Sequence, residues 1–597
     1  MRHRGPDGAG LFRDRSGRCL LGHRRLAIID LTNAAAQPMT SDDGHFTIVF
    51  NGEIYNYLVL REELEAKGVQ LRTHSDTEVV LQLFRRDGPG MISRLRGMFA
   101  FAVWNSLTRS LFLARDPHGI KPLYYSDDGT CLRFASSLRA LSRRAISREL
   151  NPAAIIGFLA WGSVPEPLTI YRSIQMVPAG YTMYIDDHGR TQFNRYWSLP
   201  DVYAGHAQRQ QYQDTLNEDA RHELLDSVKA HLVADVPVGV FLSSGIDSSV
   251  LVGLASEARE QPIHAVTLAF EEFRGTDYDE APLAQDVARH YKAQHSIVTL
   301  SAETVRRSMS EFFAAMDQPT IDGLNVYWIS KAVHETGLKA VLSGIGGDEL
   351  FGGYQTFRTY PRLRSLAPAT RVPGLHRATA FLAHLGPSRR ANKVRALASA
   401  LASPVSTFQL IRGLFTPDEV RGLLHPDLWQ EAGGTDGIFT PAREAFHMKH
   451  LDSWRQVAVA EQCVYMRNQL LRDADWASMS HSLEVRVPFV DSRLTQSLGP
   501  RLSGLPKEGK SLLARSVLRP LPRAVVRRKK TGFSLPMQKW VSADIQAGKM
   551  LTLPNWLLSP AGTREVERLQ SGVIAGKVHW SRVWALHCLG NWIQAET

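Results

Sequence analysis

Two hydrophobic periods follow one another along this chain. Over roughly the first 190 residues, short apolar runs end in turn residues. "CLLGHRRLAIIDL", "HFTIVFNGEIYNY", "GMFAFAVWN", "SLFLARD" and "KPLYYS" predict strands, because apolar and β-branched positions cluster between Gly, Asn, Asp and Pro. "YLVLREELEAKG" has apolar residues at helical spacing and stops at Gly68, so it predicts an amphipathic helix. The pattern is α+β with a strand-rich core. From Tyr196 to Gln213 the chain turns polar, "YWSLPDVYAGHAQRQQYQ", and a linker is expected there. The expected organisation is a first domain over 1–195, a linker over 196–215 and a second domain over 216–597.

Beyond the linker, strands alternate with helices. "EDARHELLDSVKAHL" predicts a helix, "VGVFLSS" a buried strand, and "SSVLVGLASEA" a helix. "IHAVTLAF", "SIVTL" and "KAVLS" predict further strands, with "DEAPLAQDVARHY" as a helix between the first two. That alternation indicates a parallel sheet covered on both faces. After Tyr354 the pattern is mostly helical to the end.

Composition narrows the picture. The chain has 597 residues, 44% hydrophobic and 22% charged, ordinary values for globular proteins. Its longest apolar run, Ala153 to Gly162, is half of the ~20 residues that a membrane-spanning helix needs. The start lacks the charged stub and apolar stretch of a secretory signal. Cys19, Cys131, Cys463 and Cys588 lie far apart, with no C-x-x-C pair, so neither a disulfide framework nor a zinc site is indicated. A reducing, cytoplasmic setting is expected. The net charge is +11. Between Leu350 and Pro417 there are nine arginines and Lys393 but no acidic residue. A solvated, Arg-rich helical segment accounts for this best. A face for an anionic substrate is the alternative, and without interleaved aromatics nucleic acid is not expected.

The chemistry-bearing signals are two. In "VFLSSGIDSS", Val240 to Ser249, an apolar strand runs into small residues and then a helix. Such a turn lets backbone N–H groups approach phosphate oxygens at a helix start, and Asp247 would hold Mg2+. The plain alternative is a strand–turn–helix with capping serines. In "VLSGIGGDELFGGY", Val341 to Tyr354, a second strand end meets glycines and Asp348. Two such ends in one parallel sheet would share a metal-bound pyrophosphate, because ligands bind at the carboxyl ends of such strands. "GLPKEGKS", Gly504 to Ser511, has phosphate-loop spacing, but no buried strand precedes it. It reads as a surface loop before a helix, so Lys510 is expected to matter little.

The series "HRGPDG", "GHRRLAIIDL", "FNGEIYNY", "SDTEV", "LRGMFAFAVWN", "ARDPHGIKPLYY", "SSGIDSS", "SGIGGDELFGGY", "LLRDADWASMSHSLEVRVPFVD" and "RRKKTGFSLPMQKW" resembles the asparagine synthetase (glutamine-hydrolysing) family, in order and over nearly the whole chain. The resemblance implies an N-terminal-nucleophile glutaminase-type α+β domain. It is followed by an α/β ATP-pyrophosphatase domain with a helical C-terminal part. It implies an ATP-dependent ligase that adenylates a carboxylate, aspartate in the family, and aminates it with ammonia. ATP and Mg2+ are the implied cofactors and small molecules the implied partners. Neither nucleic acid nor membrane is implied, and a homodimer stays open.

By that resemblance, Arg25, Asn51, Gly52, Glu53 and Asp76 would bind glutamine, with Asn51 and Gly52 as oxyanion donors. Leu242 and Val266 would contact adenine. Ser243, Gly245, Asp247, Ser248 and Ser249 would hold pyrophosphate, Ser343 and Gly344 the nucleotide, and Asp348 the metal. Lys530 would balance charge on the α-phosphate. Ile345 stands where the family commonly has an acidic residue, and Trp476 where a basic one is common. The acceptor is therefore open to another carboxylate, such as a sugar acid, or the chain to a scaffolding role. Family members begin Met-Cys-Gly, with Cys as nucleophile, whereas here "HRGPDG" begins at His3. The expectation is that the chain as written uses ammonia rather than glutamine, that Cys19 is core, and that upstream codons carry the missing start.

Overall fold

The computed structural model describes residues 1–142, 146–205, 216–371, 393–446, 451–503, 509–528, 535–550 and 553–596. In its N-terminal part six antiparallel strands form one sheet. Their order is Thr191–Arg195, Tyr181–Ile185, Ser110–Arg115, Gly97–Asn105, Phe46–Ile54 and Met39–Thr40. Successive side chains of a strand point to opposite faces, and here both faces are buried. Ile48, Phe50, Phe101 and Val103 join the main core beneath the helices Tyr57–Ala66 and Asp76–Asp87, whereas Val49, Ala100, Ala102 and Trp104 feed a second cluster with Leu113 and Met183. This double burial explains continuous runs such as "GMFAFAVWN" in an antiparallel sheet.

The run from Cys19 to Leu31 is a strand only over Leu20–Arg25. Beyond it the Arg25 guanidinium bonds the Thr32 carbonyl at 2.7 Å and the Ile29 carbonyl at 3.2 Å, so the chain curls around that side chain. The polar stretch after Tyr196 contains a short helix, Leu199–Ala204. Its Tyr203 is fully buried and accepts a hydrogen bond from Gln462 at 2.8 Å.

The second part is built on five parallel strands: β1 (Val238–Phe241), β2 (His264–Phe270), β3 (Gln294–Leu300), β4 (Ala340–Leu342) and β5 (Glu484–Arg486), in the order β3-β2-β1-β4-β5. The register runs Gly239 opposite His264 and Val238 opposite Ala340. β1, β2 and β4 are almost wholly apolar and buried, as a two-sided parallel sheet requires. β5 is a short strand within the part after Tyr354 that is expected to be mostly helical. Two of its three residues are charged, yet Glu484 and Arg486 are buried because they pair with each other at 2.9 Å. A hydrophobic pattern carries no sign of such a strand. The rest of the C-terminal part is helical, including a π-helical stretch Glu461–Leu471 between two α-helices. Within the Arg-rich segment Arg412 is not solvated, since its guanidinium lies 3.4 Å from the centre of the Tyr465 ring. Residues 372–392 of that segment lie outside the described residues. Among the described residues no helix is long and apolar enough to cross a membrane.

Candidate active site

From β1 the chain proceeds to β2 and β3 on one side, and later returns to place β4 on the other. The gap between β1 and β4 is therefore the point where the winding reverses, where ligands of such sheets bind. Leu242 to Gly245 lead from β1 into helix α1 (Ile246–Ala258), and Ser343 to Gly346 lead from β4 into helix α2 (Gly347–Phe351). The Ser248 hydroxyl ties the first loop together, accepting from the Ser243 N–H at 3.1 Å and bonding the Ser243 hydroxyl at 2.8 Å. The loops touch each other. A Cβ on Gly347 would stand 2.8 Å from Cγ of Asp247, and one on Gly346, whose φ is +95°, would meet Val490 at 2.6 Å. Only glycine allows that approach.

Asp247 and Asp348 converge on one atom, the Nζ of Lys510 at the start of helix α3 (Gly509–Arg515). The Asp348 contact is 2.7 Å. Burial works to lower the Lys510 pKa, but the two carboxylates outweigh it and raise it. Lys510, expected to matter little, thus stands between the two carboxylates of the site. Gly504–Glu508 lie outside the described residues, and the element before them is the helix Ser492–Leu502, not a strand. Lys510 follows no buried strand of the kind that a phosphate loop requires, yet it contacts both carboxylates of the site. Lys530, to which the charge-balancing role was assigned, lies outside the described residues.

A cavity of about 240 Å³ opens here. Leu242, Ser243, Asp247, Ser248, Val266, Ser343 and Gly344 all line it. Asp348 joins the site through Lys510. Gly245 and Ser249 are not on the lining, and the Ser249 hydroxyl donates to the Gly245 carbonyl at 2.7 Å, bracing the loop. The lining also includes Asp322, Gly323, Asn325, Ile345, Leu470 and Asp473, which motif reading did not single out except for Ile345. Lone acidic residues in "PTIDGLN" and "LLRDADW" give no spacing signal.

A second cavity, of about 370 Å³, lies in the N-terminal part and is lined by all five residues expected there: Arg25, Asn51, Gly52, Glu53 and Asp76. Gly52 has φ +147°, and a Cβ on it would stand 2.0 Å from the Met98 carbonyl oxygen of the neighbouring strand. The Asn51 amide nitrogen is buried without a hydrogen-bond partner. An unspent, desolvated donor suits a developing oxyanion. Burial raises the Asp76 carboxyl to about 6, although its Oδ2 accepts from the Ile54 N–H at 3.0 Å. Glu53 is pushed well up by burial, then by Glu484, while Arg486 opposes. Cys19 is 8% exposed, in the second core cluster, and burial pushes its thiol up to about 12.

Arg486 of β5 joins the two cavities. Its Nη2 lies 3.5 Å from Glu53, its Nη1 donates to the His231 and Val233 carbonyls at 2.9 and 2.7 Å, and its own carbonyl accepts from the Ser343 N–H at 2.8 Å. One residue thus braces the wall of the N-terminal cavity and the second nucleotide-type loop.

The family model described as asparagine synthase matches residues 219–590, and that described as glutamine amidotransferase domain matches residues 1–197. Asparagine synthetase (glutamine-hydrolyzing) 1 of Bacillus subtilis (strain 168) is 32% identical, over 91% of this chain and 84% of that protein. A putative asparagine synthetase (glutamine-hydrolyzing) of Mycobacterium bovis is 30% identical, over 95% of this chain and 87% of that protein. Amidase chry2 of Gibberella zeae is 29% identical, over 83% of this chain and 76% of that protein.

Proposed function

The chain belongs to the asparagine synthase family, with a glutamine amidotransferase domain ahead of its synthase domain, and is a carbon–nitrogen ligase; from that premise we propose that it activates a carboxylate as its acyl-adenylate and aminates it. The observation that carries this reading is the convergence of Asp247 and Asp348, from two strand ends at the switch point, on Lys510. Adenine would lie against Leu242, Val266 and Leu268, all of which line the cavity. The phosphates would meet Ser243, Ser248 and the start of α1, where unpaired N–H groups favour anions.

Asp247 and Asp348 would hold Mg2+. Mg2+ keeps most of its ligands as water and phosphate oxygens, so two carboxylates suffice. The Lys510 ammonium between them marks the spot as one that accepts a cation. When bound, the ion would neutralise pyrophosphate as it leaves. The acceptor carboxylate oxygen would attack the α-phosphorus, the bond to pyrophosphate would break, and Lys510 would stabilise the charge on the transferring group. Ammonia would then attack the acyl carbon, AMP would leave, and the nitrogen would lose a proton. Arg25, Asn51, Gly52, Glu53 and Asp76 would form the glutamine site that supplies ammonia, with Asn51 and Gly52 facing the oxyanion.

Aspartate is the acceptor that the relatives' names support. A second reading, another carboxylate, is favoured by Ile345, an apolar residue on the cavity lining. Carboxylate-dependent ATP–pyrophosphate exchange tests the reaction class. Asp247→Asn should abolish the exchange while the thermal transition stays. Near-normal exchange in that variant would rule out the two-loop site.

A further inference from the structure

The cavity lining contains two acidic side chains outside the phosphate loops and, among the described residues, no lysine, arginine or histidine. Asp473 is 2% exposed, with one oxygen accepting from Trp476 Nε1 at 2.8 Å and the other from the Thr320 hydroxyl at 2.7 Å. Asp322 accepts from the Gly323 N–H at 3.0 Å and from Gln469 at 3.4 Å. A carboxylate oxygen can accept two hydrogen bonds, so these contacts leave capacity on both groups.

Two arginines act on this pair from outside the lining. Arg412 acts on Asp322 at a distance, but it is stacked on Tyr465 and pairs with Glu461 at 3.2 Å. Arg472 acts on Asp473, but its Nη1 donates to the Val164 carbonyl at 2.6 Å. Burial, followed by repulsion from Asp322, raises the Asp473 carboxyl to about 7, and burial raises Asp322 as well. Two desolvated carboxylates facing a ligand space call for a cation. A second carboxylate on the ligand would meet like charge at this pair, with no cation among the described lining residues to balance it.

Building on the amide-forming reading above, we infer that the acceptor is a carboxylate that also carries an ammonium group and no second free carboxylate, with Asp322 and Asp473 receiving the ammonium. The ammonium takes no part in the chemistry. The activated carboxylate loses its oxygen to AMP and gains nitrogen as already described. Gly323 fixes this wall, since a Cβ there would stand 2.7 Å from the Trp476 ring. The site therefore selects against free aspartate, whose α-carboxylate finds no cationic partner among the described lining residues.

The test is ATP–pyrophosphate exchange by the full chain with aspartate, aspartate α-amide, β-alanine and succinate. These acids keep both extra charges of aspartate, mask one, remove that one, or remove the ammonium. The α-amide and β-alanine should exceed aspartate in kcat/KM by about tenfold or more, and succinate should stay at background. Asp322→Asn and Asp473→Asn should each raise KM for β-alanine by about tenfold with little change in kcat. Aspartate or succinate matching the amine monocarboxylates overturns the inference and leaves the ligase reading standing, as does an unchanged KM in both folded variants. Exchange with none of the four acids, from a protein that binds ATP, overturns the ligase reading and this inference with it.

Discussion

The two cavities solve opposite electrostatic problems. The N-terminal one sets an unspent neutral donor among charged side chains. Asn51 is held unspent, Gly52 brings its backbone against the next strand, and the acids behind them are kept in check by backbone N–H groups and by Arg486. The second presents charge against charge, with Asp247 and Asp348 on one ammonium. The contrast follows from position. The first site lies along the antiparallel sheet, where most backbone groups are already paired and a side chain, Asn51, supplies the unspent donor. The second lies beyond parallel strand ends, where loops and helix starts leave N–H groups open for phosphates. Preorganised dipoles suit a charge that exists only in the transition state, whereas fixed countercharges suit a substrate that arrives charged.

That division can be broken one side at a time. Asp348→Asn should reduce carboxylate-dependent ATP–pyrophosphate exchange by about 10³-fold or more, because charge stabilisation of several kcal/mol is lost at a phosphate site. Asn51→Ala should leave the same exchange unchanged. Equal losses in the two variants would mean that the cavities do not act separately. Arg486→Met should strike both at once, leaving Glu53 and Glu484 buried without their arginine. Removing one partner of a buried pair costs about 3–5 kcal/mol, read in a denaturant midpoint. A variant as stable as the parent would show that the Glu53 contact carries little.

The smallest effect is a pH slope. Asp473 titrates near 7 in the folded chain, above its ordinary 3.8, so the folded state holds a proton that the unfolded state releases. Stability from this group is present below about pH 4 and is lost as pH rises toward 7. Asp473→Asn has no such proton. Between pH 5 and 8 its stability relative to the parent should rise by about 2–3 kcal/mol, seen as a shift in the gap between the two melting temperatures. A constant gap would place the Asp473 titration elsewhere.

Much of this was legible in the chain itself. The strand–small-residue–Asp–helix order of "VFLSSGIDSS" and "VLSGIGGDEL" placed two loops that do pack together, and the "FNGEIYNY" run supplied three of the five residues assigned to the N-terminal cavity. What escaped was long-range charge. β5 hides because its buried residues are polar and satisfied by each other. Lys510 hides because its partner Asp247 is 263 positions away, and the spacing around it imitated an unrelated motif. Asp322 and Asp473 are separate acids that become a pair only when the loop before the helix Leu324–Glu335 meets the helix Arg472–Met479 at one cavity. Periodicity reports burial of apolar surface, and it is silent on a buried ion whose partner is remote.

The central proposal is that Lys510, beside Asp247 and Asp348, is the charge that drives adenylation. The direct measurement is exchange by Lys510→Ala beside Lys530→Ala, each checked for an unchanged thermal transition. Lys510→Ala should lose about 10²–10³-fold, the scale expected when a donor to a transferring group is removed. Exchange at the parent rate in a folded Lys510→Ala protein, with the loss falling on Lys530→Ala instead, would contradict it.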